Sequence, residues 1–214
     1  MSGGAQRPSG RPVGILVSGS GTNMRALIHA AQQGEAGADV RVVISNRPGA
    51  LALERARELG VDTAVVDHTA FTDRAEFEAA LLETLLRHGV EVVCLAGFMR
   101  ILGRAFIDAF EGRVLNVHPS LLPAFPGLHA ARQALECGTR VAGCTVHLVT
   151  EEMDAGPILS QATVPVYEDD TEASLQARIQ VEEHRVYPMA LDWICQNRVV
   201  FEGRRARIQE QGDG

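Results

Sequence analysis

Lysine is absent from the 214 residues: all 20 basic side chains are arginine. That excludes Schiff-base chemistry on a lysine amine and the lysine of a P-loop phosphate site. Positive charge is in short supply overall, with a formal net charge of -7. A nucleic-acid binder, with its broad basic face, is therefore not expected. One phosphate held by a few local donors is not excluded. Cysteine is sparse: Cys94, Cys137, Cys144 and Cys195 form no C-x-x-C pair, which suits a reducing compartment. Cys94, inside an apolar run, reads as a small core residue. No run of about 18 apolar residues could span a membrane, and the opening MSGGAQRPSGRP lacks the apolar core of a signal peptide. The expected location is the cytoplasm, with no membrane partner. No histidine, cysteine or acid set has zinc-site spacing, so no metal is expected.

What is present is a composition of 46% hydrophobic and 22% charged residues, ordinary for a globular chain able to bury a core without staples. Val13–Val17, Glu91–Ala96 and Val114–Val117 read as buried strands, and Val40–Ile44 and Thr63–Val66 as a second and a short third strand. Between them lie helical patterns to about Gln33, at Ala50–Leu59, at Arg74–His88 and near Arg104–Phe110. Thr22 or Asn23 is expected to cap the first of these. Asp73, with Glu76 three residues on, is expected to cap the third. Strands alternating with helices imply a mostly parallel, doubly wound α/β sheet. The pattern then changes. His118–Leu128 is Pro-rich, a helix is expected near His129–Glu136, and Val141–Val149 and Ile158–Val166 read as antiparallel strands. A long helix capped by Thr171 runs to about Cys195, and Val199–Phe201 reads as an edge strand. The expected organisation is a tail at 1–12, one domain at 13–202 and a frayed tail at 203–214.

Three segments carry chemistry. The first is Ser18-Gly19-Ser20-Gly21-Thr22-Asn23, a glycine turn between a strand and a helix start. Its amides at Gly21, Thr22 and Asn23 would sit at a positive helix end, which suits a phosphate. A dinucleotide fingerprint wants a third glycine or alanine where Met24 stands, and an acid after the second strand, where Asn46 stands. A phosphate monoester fits better; a plain tight turn would look the same locally.

The second is Asn116-Val117-His118-Pro119. Residues two apart on a strand share a face, so Asn116 and His118 point together from the carboxyl end of a buried strand, where open parallel sheets place ligands. An amide beside an imidazole suits acyl transfer: the amide donates to an oxygen gaining charge, and the imidazole donates or moves a proton. The third is the loop Thr150–Pro157. Gly156 and Pro157 sharpen it, and Asp154 could orient a histidine, though nothing local separates it from Glu151 or Glu152. His147, on an apolar strand, reads as a half-buried core residue. Cys144 and Ser120 are nucleophiles by composition only.

Together, SGSGTN, SNRPGALALERAR, LAGFMRIL, NVHPSLLPAFPGLHA, GCTVHLVTEEMDAGPILSQATVPV and VEEHRVYP resemble the folate-dependent formyltransferases, from about Val13 to about Val200, and within them the bacterial single-domain phosphoribosylglycinamide type. The resemblance implies a Rossmann-like formyltransferase fold with an antiparallel C-terminal portion. The activity it implies is transfer of a formyl group from 10-formyltetrahydrofolate, as co-substrate, to the amine of glycinamide ribonucleotide in purine synthesis. It implies catalytic roles for Asn116, His118 and Asp154. It implies ribonucleotide contacts at Gly21, Thr22, Asn23, Gln180 and Glu183. It implies a folate pocket from Arg74, Met99, Arg100, Ile101, Leu102, Asn116, Thr150, Glu151, Glu152, Met153 and Asp154. A homodimer stays open. The chain departs from some relatives at His129-Ala130-Ala131, and any lysine contact a relative makes is replaced or lost. Three other readings stand beside this one. A formyltetrahydrofolate hydrolase of this family carries an extra N-terminal domain, where only 12 residues precede the first strand here. Initiator-tRNA formylation needs a further C-terminal domain and a basic surface. A non-catalytic nucleotide-phosphate-binding module would keep the glycine turn but leave the Asn-His-Asp set without a purpose.

Overall fold

The protein is described by a computed structural model over residues 10–209; the remainder of the two expected tails lies outside the described residues. The apolar runs form strands of one nine-stranded sheet. In chain order the elements are β1 (Arg11–Val17), α1 (Thr22–Gln33), β2 (Ala38–Ser45), α2 (Leu51–Glu58), β3 (Asp62–Val65), α3 (Arg74–Arg87), β4 (Val92–Leu95), α4 (Arg104–Ala109), β5 (Val114–His118), α5 (Ala130–Glu136), β6 (Val141–Leu148), β7 (Ile158–Pro165), α6 (Glu172–Cys195), β8 (Val199–Glu202) and β9 (Arg205–Ile208). A single 3₁₀ turn, His68–Ala70, precedes α3.

The sheet order is β3-β2-β1-β4-β5-β6-β7-β9-β8. The first five strands are parallel, while β5, β6 and β7 pair antiparallel. This is the expected doubly wound arrangement with an antiparallel continuation. Alternation along β1 separates two cores. Val13, Ile15 and Val17 face α1 and α6, and Leu16 faces Phe77, Leu81 and Leu85 of α3. Chain order reverses between β1 and β4, so a crevice opens beyond their carboxyl ends, where ligands of such sheets bind.

Local chemistry sets several boundaries, some otherwise than expected. Asp73 accepts from the Glu76 amide at 2.9 Å, but Glu76 reaches back to Thr72 rather than to the cap residue itself. Thr171 and Ser174 form a reciprocal capping box on α6. The cap of α1 is Gly21, with no side-chain bond. Thr22 is already helical, and its hydroxyl is taken by Gln180 at 2.8 Å. Gly21 has φ 75°, and a Cβ there would lie 2.6 Å from that of Ala52, so a close backbone approach requires glycine.

Both expected tails are overextended inward. Arg11 and Pro12 belong to β1: the Arg11 amide donates to Gly37, the Pro12 carbonyl accepts from Glu91, and the Arg11 guanidinium binds Glu91, Ile194 and Asn197. At the other end, β9 pairs with β8 along its whole length and touches β7 at Ile158–Arg205.

Candidate active site

Beyond the carboxyl ends of β1, β4 and β5 lies a cleft of about 920 Å³. Its walls are the turn after β1, the loop after β4, the end of β5 and the loop between β6 and β7. Every expected catalytic, ribonucleotide and folate residue lines it except Arg74. Arg74 pairs with Glu78 at 3.2 Å, and Glu78 accepts the Gly103 amide at 2.8 Å. Arg74 thus touches the root of the 97–103 loop and not the cleft itself.

Antiparallel pairing builds the polar centre. It sets Asn116 opposite His147 and His118 opposite Thr145. His147 Nδ1 lies 2.8 Å from the Leu148 carbonyl and must carry the proton there, so Nε2 offers a lone pair to the Asn116 amide, 3.2 Å away. Burial holds the His147 imidazole below its ordinary pKa, in keeping with a neutral ring. His147 is a core residue, as expected, though buried more fully, and it also holds the Asn116 amide. The missed signal was long-range, because the pair is 31 residues apart in sequence.

Asp154 meets both histidines. Its carboxylate lies 3.5 Å from His118 Nδ1 and 3.7 Å from His147 Nε2, and accepts the Gly127 amide at 2.8 Å. Its φ of 54° places it in the left-handed region, where aspartate is tolerated better than most residues. The loop contact thus selects Asp154 over Glu151 and Glu152, both exposed. His118 Nε2 donates to the Phe125 carbonyl at 2.9 Å. Nε2–H is therefore spent on Phe125 and Nδ1 faces Asp154, so a donor bond from His118 into the cleft is not preformed. Asn116 keeps one amide hydrogen beyond the one His147 takes.

At the other end of the cleft, Asn23 donates to Glu183 at 2.8 Å, and the buried Asn23 Oδ1 has no partner among the described residues. That atom is shielded from the cleft, so its missing partner marks a local cost of burial. Burial raises the Glu183 pKa above its usual range, with the Asn23 bond opposing. Glu183 sits in the buried stripe of α6, between Ile179 and Val186. A charge on a core-facing stripe is a signal the sequence did carry. Met99, Ile101, Leu128 and Met153 leave 58–70% of their surface exposed around the cleft mouth, an apolar rim suited to a flat aromatic ligand.

His129, which had no partner identified from the sequence, lines the same cleft and pairs with Glu172 at 3.2 Å. Neither Cys144 nor Ser120 lines the cleft. Burial, aided by nearby Glu183, pushes the Cys144 thiol up to about 12, and the buried Ser120 hydroxyl is spent on Ala124. Among the described residues no group of three or more metal-binding side chains is arranged around a common point, and no helix is long and apolar enough to cross a membrane.

Comparison with known proteins gives a consistent picture. A family model described as formyl transferase matches residues 12–191. The phosphoribosylglycinamide formyltransferase of Escherichia coli is 43% identical over 197 residues, which cover 92% of this chain and 93% of that protein. The crystal structure of glycinamide ribonucleotide transformylase 1 from Symbiobacterium toebii superposes with a TM-score of 0.93 at 52% identity, covering 94% of this chain and 95% of that one. A formyltetrahydrofolate deformylase from Pseudomonas syringae has a TM-score of 0.86 at 27% identity, with 94% of this chain and 66% of that chain covered.

Proposed function

The chain belongs to the formyl transferase family, and on that footing we propose that it transfers a formyl group from 10-formyltetrahydrofolate to the amine of glycinamide ribonucleotide in de novo purine synthesis. The observation that carries the reading is the linked set Asn116–His147–Asp154–His118 facing a cleft whose far end is a helix N-terminus.

The phosphate would bind the amides of Gly21, Thr22 and Asn23 at the start of α1. Gln180 and Glu183, both on the cleft wall, would take the sugar and hold the amine toward β5. The folate would lie against Met99–Leu102 and Thr150–Asp154, so the two substrates meet at Asn116. Close placement of the reactants supplies much of the rate.

The amine attacks the formyl carbon, a C–N bond forms, and the carbonyl oxygen takes the negative charge. The free Asn116 N–H donates to that oxyanion. His118 Nε2–H joins by exchanging the Phe125 carbonyl for the oxyanion, which is the stronger acceptor because it is charged. Phe125 has φ 54°, so this carbonyl sits in a segment already held in a sparsely populated conformation. Asp154 aims the ring. Collapse breaks the bond to the folate nitrogen, which gains the proton the amine loses. No acyl-enzyme takes part.

Hydrolysis of the same donor is the rival outcome, since a deformylase shares the fold. Incubation with donor alone and with donor plus glycinamide ribonucleotide separates them. Formylated ribonucleotide without free formate is expected. Formate released at the same rate in both mixtures would overturn the proposal.

A further inference from the structure

Asp154 must hold its direction in a loop with few internal ties. Thr150 Oγ1 donates to the Glu152 carbonyl at 3.1 Å, the Ala155 amide reaches the same carbonyl at 3.4 Å, and Glu151, Glu152 and Met153 are exposed. An outside brace comes from the C-terminal hairpin. Arg204, in the turn between β8 and β9, donates from Nη2 to the Ala155 carbonyl at 2.9 Å. The next residue, Arg205, pairs with Ile158 just past the loop. Consecutive hairpin residues thus grip the loop and its exit. Both follow residue 191, the last one matched to the family, so the brace is a feature of this chain read from its own geometry.

We propose that Arg204 is a positioning residue: by holding the Ala155 carbonyl it fixes the backbone beside Asp154, and so the aim of that carboxylate at His118. The inference rests on the formyl-transfer reading above. A charged donor on a backbone carbonyl makes a stronger bond than a neutral one, and it stands where the left-handed Asp154 runs into Gly156. Gly156 leaves no room for a Cβ, which would strike the Leu148 carbonyl. The loop therefore has a fixed end at Gly156, and with Ala155 held, Asp154 has little freedom left. Without Arg204 the exposed part of the loop gains conformations in which the carboxylate points elsewhere.

The test compares Arg204→Ala, Arg204→Lys, Arg207→Ala and Asp154→Asn in the full chain, by steady-state kinetics, thermal melting and deuterium uptake of residues 150–156. Arg207 is the control, since it pairs with Glu202 within the hairpin. Arg204→Ala is expected to lower kcat about fivefold and to raise uptake in the loop. KM for the ribonucleotide, bound at the opposite end of the cleft, is expected to stay within about twofold and Tm within about 2 °C. Lysine keeps one donor and is expected to recover part of kcat. Wild-type kcat and uptake in Arg204→Ala, with Asp154→Asn inactive, would overturn the proposal. So would an equal loss in Arg207→Ala, which would mark general hairpin stability. Full formyl-transfer activity in Asp154→Asn would show that the aim of this carboxylate does not matter and would overturn the inference, while a wild-type chain that forms no formylated ribonucleotide would remove the formyl-transfer reading on which it rests.

Discussion

The parallel and antiparallel halves of the sheet make their parts of the cleft differently. In the parallel half, Val13–Val17 and Val92–Leu95 are apolar and buried, and apart from Leu95 at the end of β4 the cleft residues there lie on the loops beyond them. In the antiparallel half, polar groups stand within the strands: Asn116 and His118 on β5, Thr145 and His147 on β6. A parallel strand covered by helices on both faces has no room for a polar side chain that lacks a partner. An antiparallel pair sets side chains directly opposite one another, so a polar residue can carry its partner with it. On the formyl-transfer reading the first half binds and the second reacts, and mutations should divide along that line.

The largest effect belongs to Asp154→Ala. It removes the group facing both histidines and is expected to lower kcat by about 10³-fold. Asn116→Ala comes next, with a loss of about 10²-fold in kcat, the scale for one oxyanion donor. Both variants are expected to melt close to the wild type, and turnover retained in either would break the division. Gly21→Ala tests the other half. A Cβ there meets Ala52 at 2.6 Å, with the backbone at φ 75°, so the turn must shift and the phosphate amides with it. KM for the ribonucleotide is expected to rise about tenfold, against a smaller change in kcat. A fall in kcat alone would show that the turn takes part in the reaction and would erase the contrast.

Legibility in the sequence follows the same line. The central parallel strands β1 and β4 could be read because burial on both faces leaves continuous apolar runs. β9 could not, because Arg205, Arg207 and Ile208 alternate on an exposed hairpin that buries little. The start of β1 was hidden by Arg11 and Pro12, whose partners Gly37, Glu91 and Asn197 are far along the chain. Asn116 and His118 were readable as a pair because strand periodicity is local. Asp154 was not, since its partners Gly127, His118 and His147 lie on other segments. For the same reason His147 read only as core. Local rules find elements and the residues that share a face; they do not find partners that only tertiary contact creates.

Glu183 is the smallest effect and the one that joins the halves, since α6 carries it under the sheet to Asn23. It is 3% exposed, and burial raises its pKa above the ordinary glutamate value. In the unfolded chain it ionises near pH 4.5, whereas the folded chain holds its proton to higher pH. Across that interval the folded state binds more protons, so stability is present below pH 4.5 and is lost as pH rises through the folded pKa. Glu183→Gln still accepts from Asn23 but carries no charge. Its Tm is expected to match the wild type at pH 4 and to exceed it by about 3 °C at pH 8, while KM for the ribonucleotide rises. A Tm difference independent of pH would mean that Glu183 is not strained by its burial. The expected result would mean that the acid is kept in a core-facing stripe for the ligand it binds and against the interest of the fold.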